Sequence, residues 1–431
     1  MNKVLIITYY WPPSGGSAVL RWLKFTKYLR EFGWEPVIYT PSNPEPQEID
    51  QSLLKDIPEN LEVIRSRIRE PYGFYKWLTG KKQSDRLGVA LMTDKKKRGI
   101  AGKISLWIRS NLFIPDPRRC WVRPSVNLLY RYLKVNPADV IISTGPPHSM
   151  HLIGLGLKRK LGIRWVADFR DPWTNIDFYR ELLLTKLADR CHKTLERKVL
   201  RKADRIVTVS PGMTREFKET GIDHVVTISN GYDEEPPLDQ KPDDSHFTLL
   251  HLGSLPGTRN PENLWQVLSE LVKTKSEFGS HLKVRLIGKA DMKVTDSIHK
   301  FDLQQYVTLE EYIPHEQTLS LLGKASLLLL CINNSPNAKG ILTNKFFEYL
   351  SARRPILALG PLDGDAATVL SETKAGRIFP YTDTIELKEH VLALFELYSQ
   401  QNLYVESENY SRFSRKNLTR ELGELLNNLI A

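Results

Sequence analysis

Cysteine is scarce in this sequence: Cys120, Cys191 and Cys331 are all there is among 431 residues. An odd number, far apart and without short paired spacing, excludes a disulfide framework and a zinc or dithiol redox motif. The compartment that fits is a reducing cytoplasm. Long apolar runs are missing as well. A membrane span takes about 20 consecutive apolar residues, and the run at residues 4–7 is too short even for the core of a secretory signal, so it reads as a buried strand. The chain lacks a short-period repeat, which sets aside solenoids and propellers. No Asp-x-Asp motif with an evident metal role stands at a strand end.

What remains is ordinary globular usage, 41% hydrophobic and 26% charged, which disfavours disorder and fibrous repeats. A chain this long outgrows one core, so two domains are expected. Short apolar runs alternate with helical-period stretches, the pattern of parallel strands covered by helices on both faces. The fold class is α/β. Strands are expected at 4–8, 36–40, 61–64, 140–144, 165–168, 206–210 and 225–229, with a helix over 17–32 that Gly33 can cap. Residues 233–246 are acidic, carry three prolines and lack a hydrophobic period, as a linker would. Beyond them the alternation restarts in FTLLHLG, LKVRLIG, VTLEEYI, SLLLLCI and PILALG, with helices near 261–273, 315–325 and 344–352. The expected division is therefore an N-terminal domain at 1–232, a linker at 233–246, and a second Rossmann-like domain at 247–405. A last helix within 406–431 could pack on either domain. Two doubly wound sheets would face a cleft with the carboxyl ends of their strands, where open α/β sheets bind ligands.

Four strand-end loops carry candidate chemistry. Gly15 and Gly16 follow the first strand and open a helix, so backbone N–H groups and the helix dipole could meet a phosphate, with Arg21 one turn on. A plain tight turn explains Gly-Gly equally, since neither the GxGxxG spacing nor a P-loop lysine is present. Gly145-Pro146-Pro147-His148-Ser149 and Asp168-Phe169-Arg170-Asp171-Pro172-Trp173 end two neighbouring strands. They offer His148 as acid, base or hydroxyl ligand and Arg170 as a clamp for negative charge, with Asp168, Asp171 and Trp173 beside them. The competing reading has the aspartates capping the next segment and pairing with Arg170. Gly253 to Arg259 is a glycine-rich strand end bearing a cation, suited to a diphosphate. Lys345 and Glu348, three apart on a helix, share a face. They form either a solvated ion pair or a nucleotide contact, Glu348 to ribose hydroxyls and Lys345 to phosphate.

The order of these features, with the stretches ADRIVTVSPGM and ISNGYD, resembles the retaining glycosyltransferases of family 4, members of the GT-B fold. The resemblance covers nearly the whole chain. It implies that Gly15 and Gly16 lie near the donor diphosphate and reacting sugar, that Arg259 grips the diphosphate, and that Glu348 bonds the nucleotide ribose. The lysine usually paired with that arginine is not evident at its usual spacing. Two departures stand out. Gly340 occupies the position eight before Glu348, where a first glutamate usually meets the donor sugar, so backbone N–H groups around 338–342 would take over. Arg170 stands where many members have a histidine. The resemblance implies a UDP-sugar donor, retention of configuration, no essential metal and no cofactor. His148, Asp168, Arg170 and Asp171 are the candidates for the reacting centre, and Arg21 and Trp173 lie toward the acceptor.

The net charge of +11 is local. Residues 65–131 hold 17 Lys or Arg against 4 Asp or Glu, an excess of 13, which leaves the rest of the chain at −2. These cations interleave with Tyr72, Phe74, Tyr75, Trp77, Trp107, Phe113 and Trp121. Basic residues mixed with aromatics suit an anionic membrane surface, and a solvated loop is the alternative. No nucleic-acid motif is present, so nucleic acid is not an expected partner. The expected protein is a cytoplasmic, peripherally membrane-associated hexosyltransferase, acting on a glycan or lipid-linked acceptor in cell-surface polysaccharide synthesis. A nucleotide-sugar epimerase of the same architecture, or a non-catalytic nucleotide- or carbohydrate-binding subunit, remains as a rival.

Overall fold

A computed structural model of the chain describes residues 1–45, 49–68, 100–176, 179–233, 235–236, 245–311, 313 and 315–431. These form two compact units: Met1–Ser229 together with Leu418–Ala431, and Asn230–Asn417. Most of the expected linker, residues 234 and 237–244, lies outside the described residues, as do Tyr72, Phe74, Tyr75, Trp77 and the cationic run 95–98.

Unit 1 is a seven-stranded parallel sheet in the order β3-β2-β1-β4-β5-β6-β7. Its strands are β1 (Asn2–Ile7), β2 (Trp34–Pro41), β3 (Glu62–Ser66), β4 (Val140–Gly145), β5 (Arg164–Phe169), β6 (Arg205–Thr208) and β7 (Val225–Thr227). Each of the seven expected strand segments overlaps one of them. The accompanying helices are α1 (Ser17–Leu29), α2 (Ile100–Leu112), α3 (Arg119–Val135), α4 (Ser149–Leu161), α5 (Lys186–Lys202) and α6 (Pro211–Glu219). Unit 2 has six parallel strands in the order β10-β9-β8-β11-β12-β13. They are β8 (Phe247–Leu252), β9 (Leu282–Ile287), β10 (Val307–Glu310), β11 (Leu327–Cys331), β12 (Ile356–Leu359) and β13 (Gly376–Phe379). Its helices are α7 (Glu262–Thr274), α8 (Ser276–His281), α9 (Met292–Lys300), α10 (His315–Lys324), α11 (Asn344–Ala352), α12 (Asp365–Thr373) and α13 (Ile385–Ser399). The last helix, α14 (Arg415–Ile430), belongs to unit 1 from Leu418 onward.

Period-two alternation divides each sheet between two cores. Leu5, Ile7, Ile141, Trp165 and Phe169 enter one core of unit 1, and Val4, Ile6, Val140, Ile142 and Val166 enter the other. In unit 2, Leu327, Leu329 and Cys331 face one side and Leu328 and Leu330 face the opposite side. Strands buried on both faces therefore read as continuous apolar runs. The second core of unit 1 is closed by Val19, Trp22 and Leu23 of α1 and by Leu418, Leu422, Leu426 and Leu429 of α14, a helical spacing that puts all four leucines on one stripe.

The helix expected over 17–32 is α-helical to Leu29, tightens into a 3-10 turn at Arg30–Phe32 and stops at Gly33, whose φ of 83° is left-handed. β13, α12 and α13 escape the sequence pattern. β13 is four residues long with two of them outside the core, and α13 spreads its apolar residues around much of its circumference, Ile385 standing exposed while Leu387 and Val391 are buried.

In both sheets the strand order reverses direction, between β1 and β4 in unit 1 and between β8 and β11 in unit 2. In each sheet taken by itself, the loops leaving the carboxyl ends of the two strands at that reversal are where open α/β sheets place ligands. Those four loops hold Gly15, Gly16, His148, Gly253, Arg259 and Gly340.

Candidate functional site

In unit 2, β8 ends at Leu252 and the chain turns at Gly253 with φ of 88°. The turn passes close to its neighbours: a Cβ on Gly288 would meet the Gly253 backbone at 2.8 Å. A Cβ on Gly253 itself would lie 3.2 Å from Lys345 Nζ. Lys345 comes from the first turn of α11, so the glycine turn and the helix start are adjacent. Arg259, in the 3-10 turn Gly257–Arg259, donates from Nε to the side-chain oxygen of Asn333, just past the end of β11. The Asn334 N–H donates to the Thr258 carbonyl at 3.1 Å and ties the two loops together.

Two cations from separate loops thus gather at the switch point. Burial and the neighbouring Arg259 charge push the Lys345 ammonium down to about 8, against weaker opposite pulls from Cys331 and Glu348. Beneath it, burial holds the fully enclosed His251 ring well below the ordinary imidazole range, and the Lys345 charge adds to that. Burial also pushes the Cys331 thiol up to about 12, which keeps it protonated and inert. Glu348 sits one turn along α11, partly buried, while Phe346, Phe347, Tyr349 and Leu350 fill the core. The Tyr349 hydroxyl accepts from the Leu252 N–H at 2.9 Å and locks α11 to the end of β8. Thr343, the residue before α11, has a buried hydroxyl with no protein partner among the described residues. A depressed lysine at a helix N-terminus, with an arginine and a glycine turn beside it, has the makings of an anion site.

Gly340 closes the 3-10 turn Ala338–Gly340, its N–H bonded to the Asn337 carbonyl at 3.2 Å. The neighbouring Lys339 pairs with Asp363 at 2.5 Å. Asp363-Gly364-Asp365 is an Asp-x-Asp spacing after β12 that sequence reasoning passed over; besides the Lys339 pair, Asp365 is buried in the first turn of α12. Among the described residues no group of three or more His, Cys, Asp or Glu is placed to hold a metal ion.

In unit 1 the geometry redistributes roles. Asp168 is completely buried and accepts from Arg21 Nη2 at 2.9 Å, Trp22 Nε1 at 2.8 Å and Thr144 Oγ1 at 2.8 Å. Arg21, equally buried, also donates to the carbonyls of Ile228 and Ser229 at 2.9 and 2.8 Å. Burial alone would raise the Asp168 carboxyl, but the Arg21 charge and the three donors hold it below its usual value. Asp168, expected to orient an acceptor, and Arg21, expected to lie toward one, are both buried on protein partners. The pair is an internal brace joining α1, β4, β5 and the chain after β7. Arg170 likewise binds protein: Nη1 donates to the Ala18 carbonyl at 2.8 Å and Nη2 to the Pro146 carbonyl at 3.0 Å, which fixes the first turn of α1 against the loop after β4. Asp171 lies 3.8 Å from Arg170 Nε with its side chain about half exposed, more open than Asp168 or Arg170.

His148 stacks flat on Trp173, ring centroids 4.8 Å apart and 3° from parallel, so the two expected neighbours do meet. Both are nearly buried. Behind them His151 stacks on Phe169 at 4.4 Å and bonds Ser143 Oγ through Nδ1 at 3.0 Å. Burial lowers the His148 ring well below its ordinary range and His151 to about 3. Sequence reasoning missed His151, whose position three past His148 on α4 was the available signal. It also missed His251, whose signal was a polar residue inside the otherwise apolar run FTLLHL. Gly16, the residue before α1, has φ of 87° and open space where a Cβ would stand, so the backbone angle rather than crowding calls for glycine. Gly15 beside it is partly buried.

Residues 89–236 match the family model described as Glycosyltransferase Family 4. No curated protein matches the chain. Among solved structures, sucrose-phosphate synthase from Thermosynechococcus elongatus is similar at 13% identity and a TM-score of 0.63, covering 100% of this chain and 99% of that one. Anabaena Alr3699/HepE, solved with UDP-glucose, is similar at 14% identity and 0.62, covering 99% of each chain. A putative UDP-N-acetylglucosamine 2-epimerase from Listeria monocytogenes is similar at 11% identity and 0.54, covering 99% of this chain and 96% of that one. The chain has the GT-B fold of two Rossmann-like α/β domains. Over residues 89–236 it is related to family 4.

Proposed function

We propose that the protein is a glycosyltransferase that binds a nucleotide-sugar donor, a UDP-sugar by resemblance, on unit 2 and transfers the sugar to an acceptor taken up by unit 1. The observation that carries this reading is the meeting of Arg259 and Lys345 beside the Gly253 turn, with Glu348 one turn further along α11. A diphosphate relieves the mutual repulsion of the two cations, and a ribose hydroxyl pair suits the carboxylate. As the sugar leaves, charge grows on the diphosphate, and fixed cations with the α11 N-terminus stabilise it without reorganising. N–H groups near Gly340 would lie toward the sugar. Retention of configuration goes with the family 4 relation. His148, Asp171 and Trp173 are the groups proposed toward the acceptor hydroxyl, with Arg170 holding their loop. The acceptor is a glycan or lipid-linked saccharide of cell-surface polysaccharide synthesis, met at the cytoplasmic membrane face.

The first test is a panel of nucleotide-sugars, each with and without candidate acceptors. Glu348→Ala is expected to raise the donor KM by ~10-fold or more, the loss of a charge-assisted pair of hydrogen bonds, with a smaller change in kcat. Unaltered donor kinetics would remove the ribose assignment. The epimerase reading is kept because the Listeria protein shares the fold; turnover of donor alone into an isomeric nucleotide-sugar would select it.

A further inference from the structure

His251 lies in unit 2's site, and the proposed reaction does not use its chemistry. It is fully buried inside β8, where every neighbour in the strand is apolar or Thr248. Its Nδ1 lies 2.9 Å from the Leu329 carbonyl of β11. A carbonyl can only accept, so Nδ1 carries the proton and the neutral ring presents its Nε2 lone pair on the other side. That lone pair faces Lys345 Nζ at 3.4 Å.

We propose that His251 is a positioning residue that holds the Lys345 ammonium over the Gly253 turn as a charge for the donor diphosphate. The inference rests on the donor-site reading of unit 2. Its logic is one of charge. Lys345 needs an acceptor to fix a flexible four-carbon side chain, and a carboxylate would supply one while cancelling the charge that the phosphate requires. A neutral imidazole supplies a lone pair and cancels nothing. The backbone of β11 enforces the tautomer: the Leu329 carbonyl fills the Nδ1 side, leaving Nε2 only as an acceptor.

The other titratable groups facing this pair are Arg259, Cys331 and Glu348. Arg259 and Lys345 both disfavour a charged ring, and burial disfavours it most. The backbone of Leu329 and Ser254 pulls the other way and is outweighed. Cys331 stays a thiol, and Glu348 acts on the ammonium from one turn away. His251 therefore remains a neutral acceptor across the range in which Lys345 titrates. The second cation that the family pattern places near Arg259 in sequence is here delivered from α11 and held from below by β8.

The experiment uses the full chain and UDP, GDP and ADP as probes, with affinity measured by calorimetry from pH 6.5 to 9.5. His251→Leu and His251→Gln are made in the Lys345 protein and in Lys345→Met. The expected result is a ~10-fold loss of affinity for His251→Leu when Lys345 is present and less than ~2-fold when it is Met, with His251→Gln, which keeps an acceptor oxygen, recovering most of the loss. The pH midpoint of binding should also move in His251→Leu. Equal losses in both backgrounds, or an unmoved midpoint, overturn the inference. If the unaltered protein binds none of the three diphosphates, the donor-site reading itself falls. If it binds one and loses affinity in Lys345→Met but shows no coupling to His251, only the present inference falls. Nitrogen-15 NMR of histidine-labelled unaltered protein gives the same answer where the leucine variant does not fold. A neutral Nδ1–H ring from pH 6.5 to 9 is expected, and an Nε2–H or protonated ring at His251 overturns it.

Discussion

At the scale of single residues, the same chemical type has opposite jobs in the two units, and burial with partners decides which. Asp168 and Arg21 are charged groups spent entirely inside the protein. Removing one partner of such a pair leaves an uncompensated buried charge, so Asp168→Asn is expected to destabilise the protein by about 3–5 kcal/mol, read as a drop in denaturation midpoint. Because the folded Asp168 carboxyl lies below its unfolded value, its contribution is full at neutral pH and is lost as pH falls through that lower folded value. The histidines act earlier. His151, held down to about 3 by burial, stays neutral while an unfolded histidine takes up a proton near pH 6.5, so stability falls as pH drops below that point. Between pH 7 and pH 5 this single ring costs about 2 kcal/mol. His151→Phe should flatten the stability-against-pH curve by that amount over that window; an unchanged slope would show that His151 takes up its proton equally in the folded and unfolded chain.

At the scale of elements, the turns and the terminal helix matter most. Gly16, Gly33 and Gly253 have left-handed backbones where a strand or helix must stop sharply, and two of the three open a candidate ligand loop. α14 is the other telling element. Its leucine stripe completes the core that α1 and the first strands begin. Leu422 is 1% exposed there, so Leu422→Ala should cost about 2–5 kcal/mol, seen by chemical denaturation of unit 1. An effect below ~1 kcal/mol would mean that α14 is loosely docked. The inner strands β1, β8 and β11 were legible in the sequence because burial on both faces turns them into largely apolar runs. β13, α12 and α13 were not, since an edge strand of four residues and helices with diffuse apolar faces give no clean period.

At the scale of the whole molecule, the charge pattern sets the remaining prediction. The excess of 13 positive charges in residues 65–131 goes with a proposed attachment to anionic lipid. No helix among the described residues is long and apolar enough to cross a membrane. Flotation with liposomes should recover the protein with phosphatidylserine-containing vesicles and lose it as salt is raised, because exposed charges are screened within about 10 Å at 0.1 M ionic strength. Binding independent of lipid charge would exclude the electrostatic attachment.

The sequence by itself determined the α/β class, the two sheets, the glycine turns and the identity of Lys345, Glu348 and Arg259 as residues worth following. Strand periodicity, turn chemistry and helical spacing are local, and local interactions leave local marks. Only the tertiary structure decided which charged groups face inward. Asp168 and Arg21 stand 147 positions apart and look as available in sequence as Asp171 and Arg259; their pairing buries both. Only the fold brought Lys345 to Arg259, 86 positions away, and seated both above His251. Such meetings depend on strand order, and strand order is set by the packing of elements that no short stretch of sequence contains.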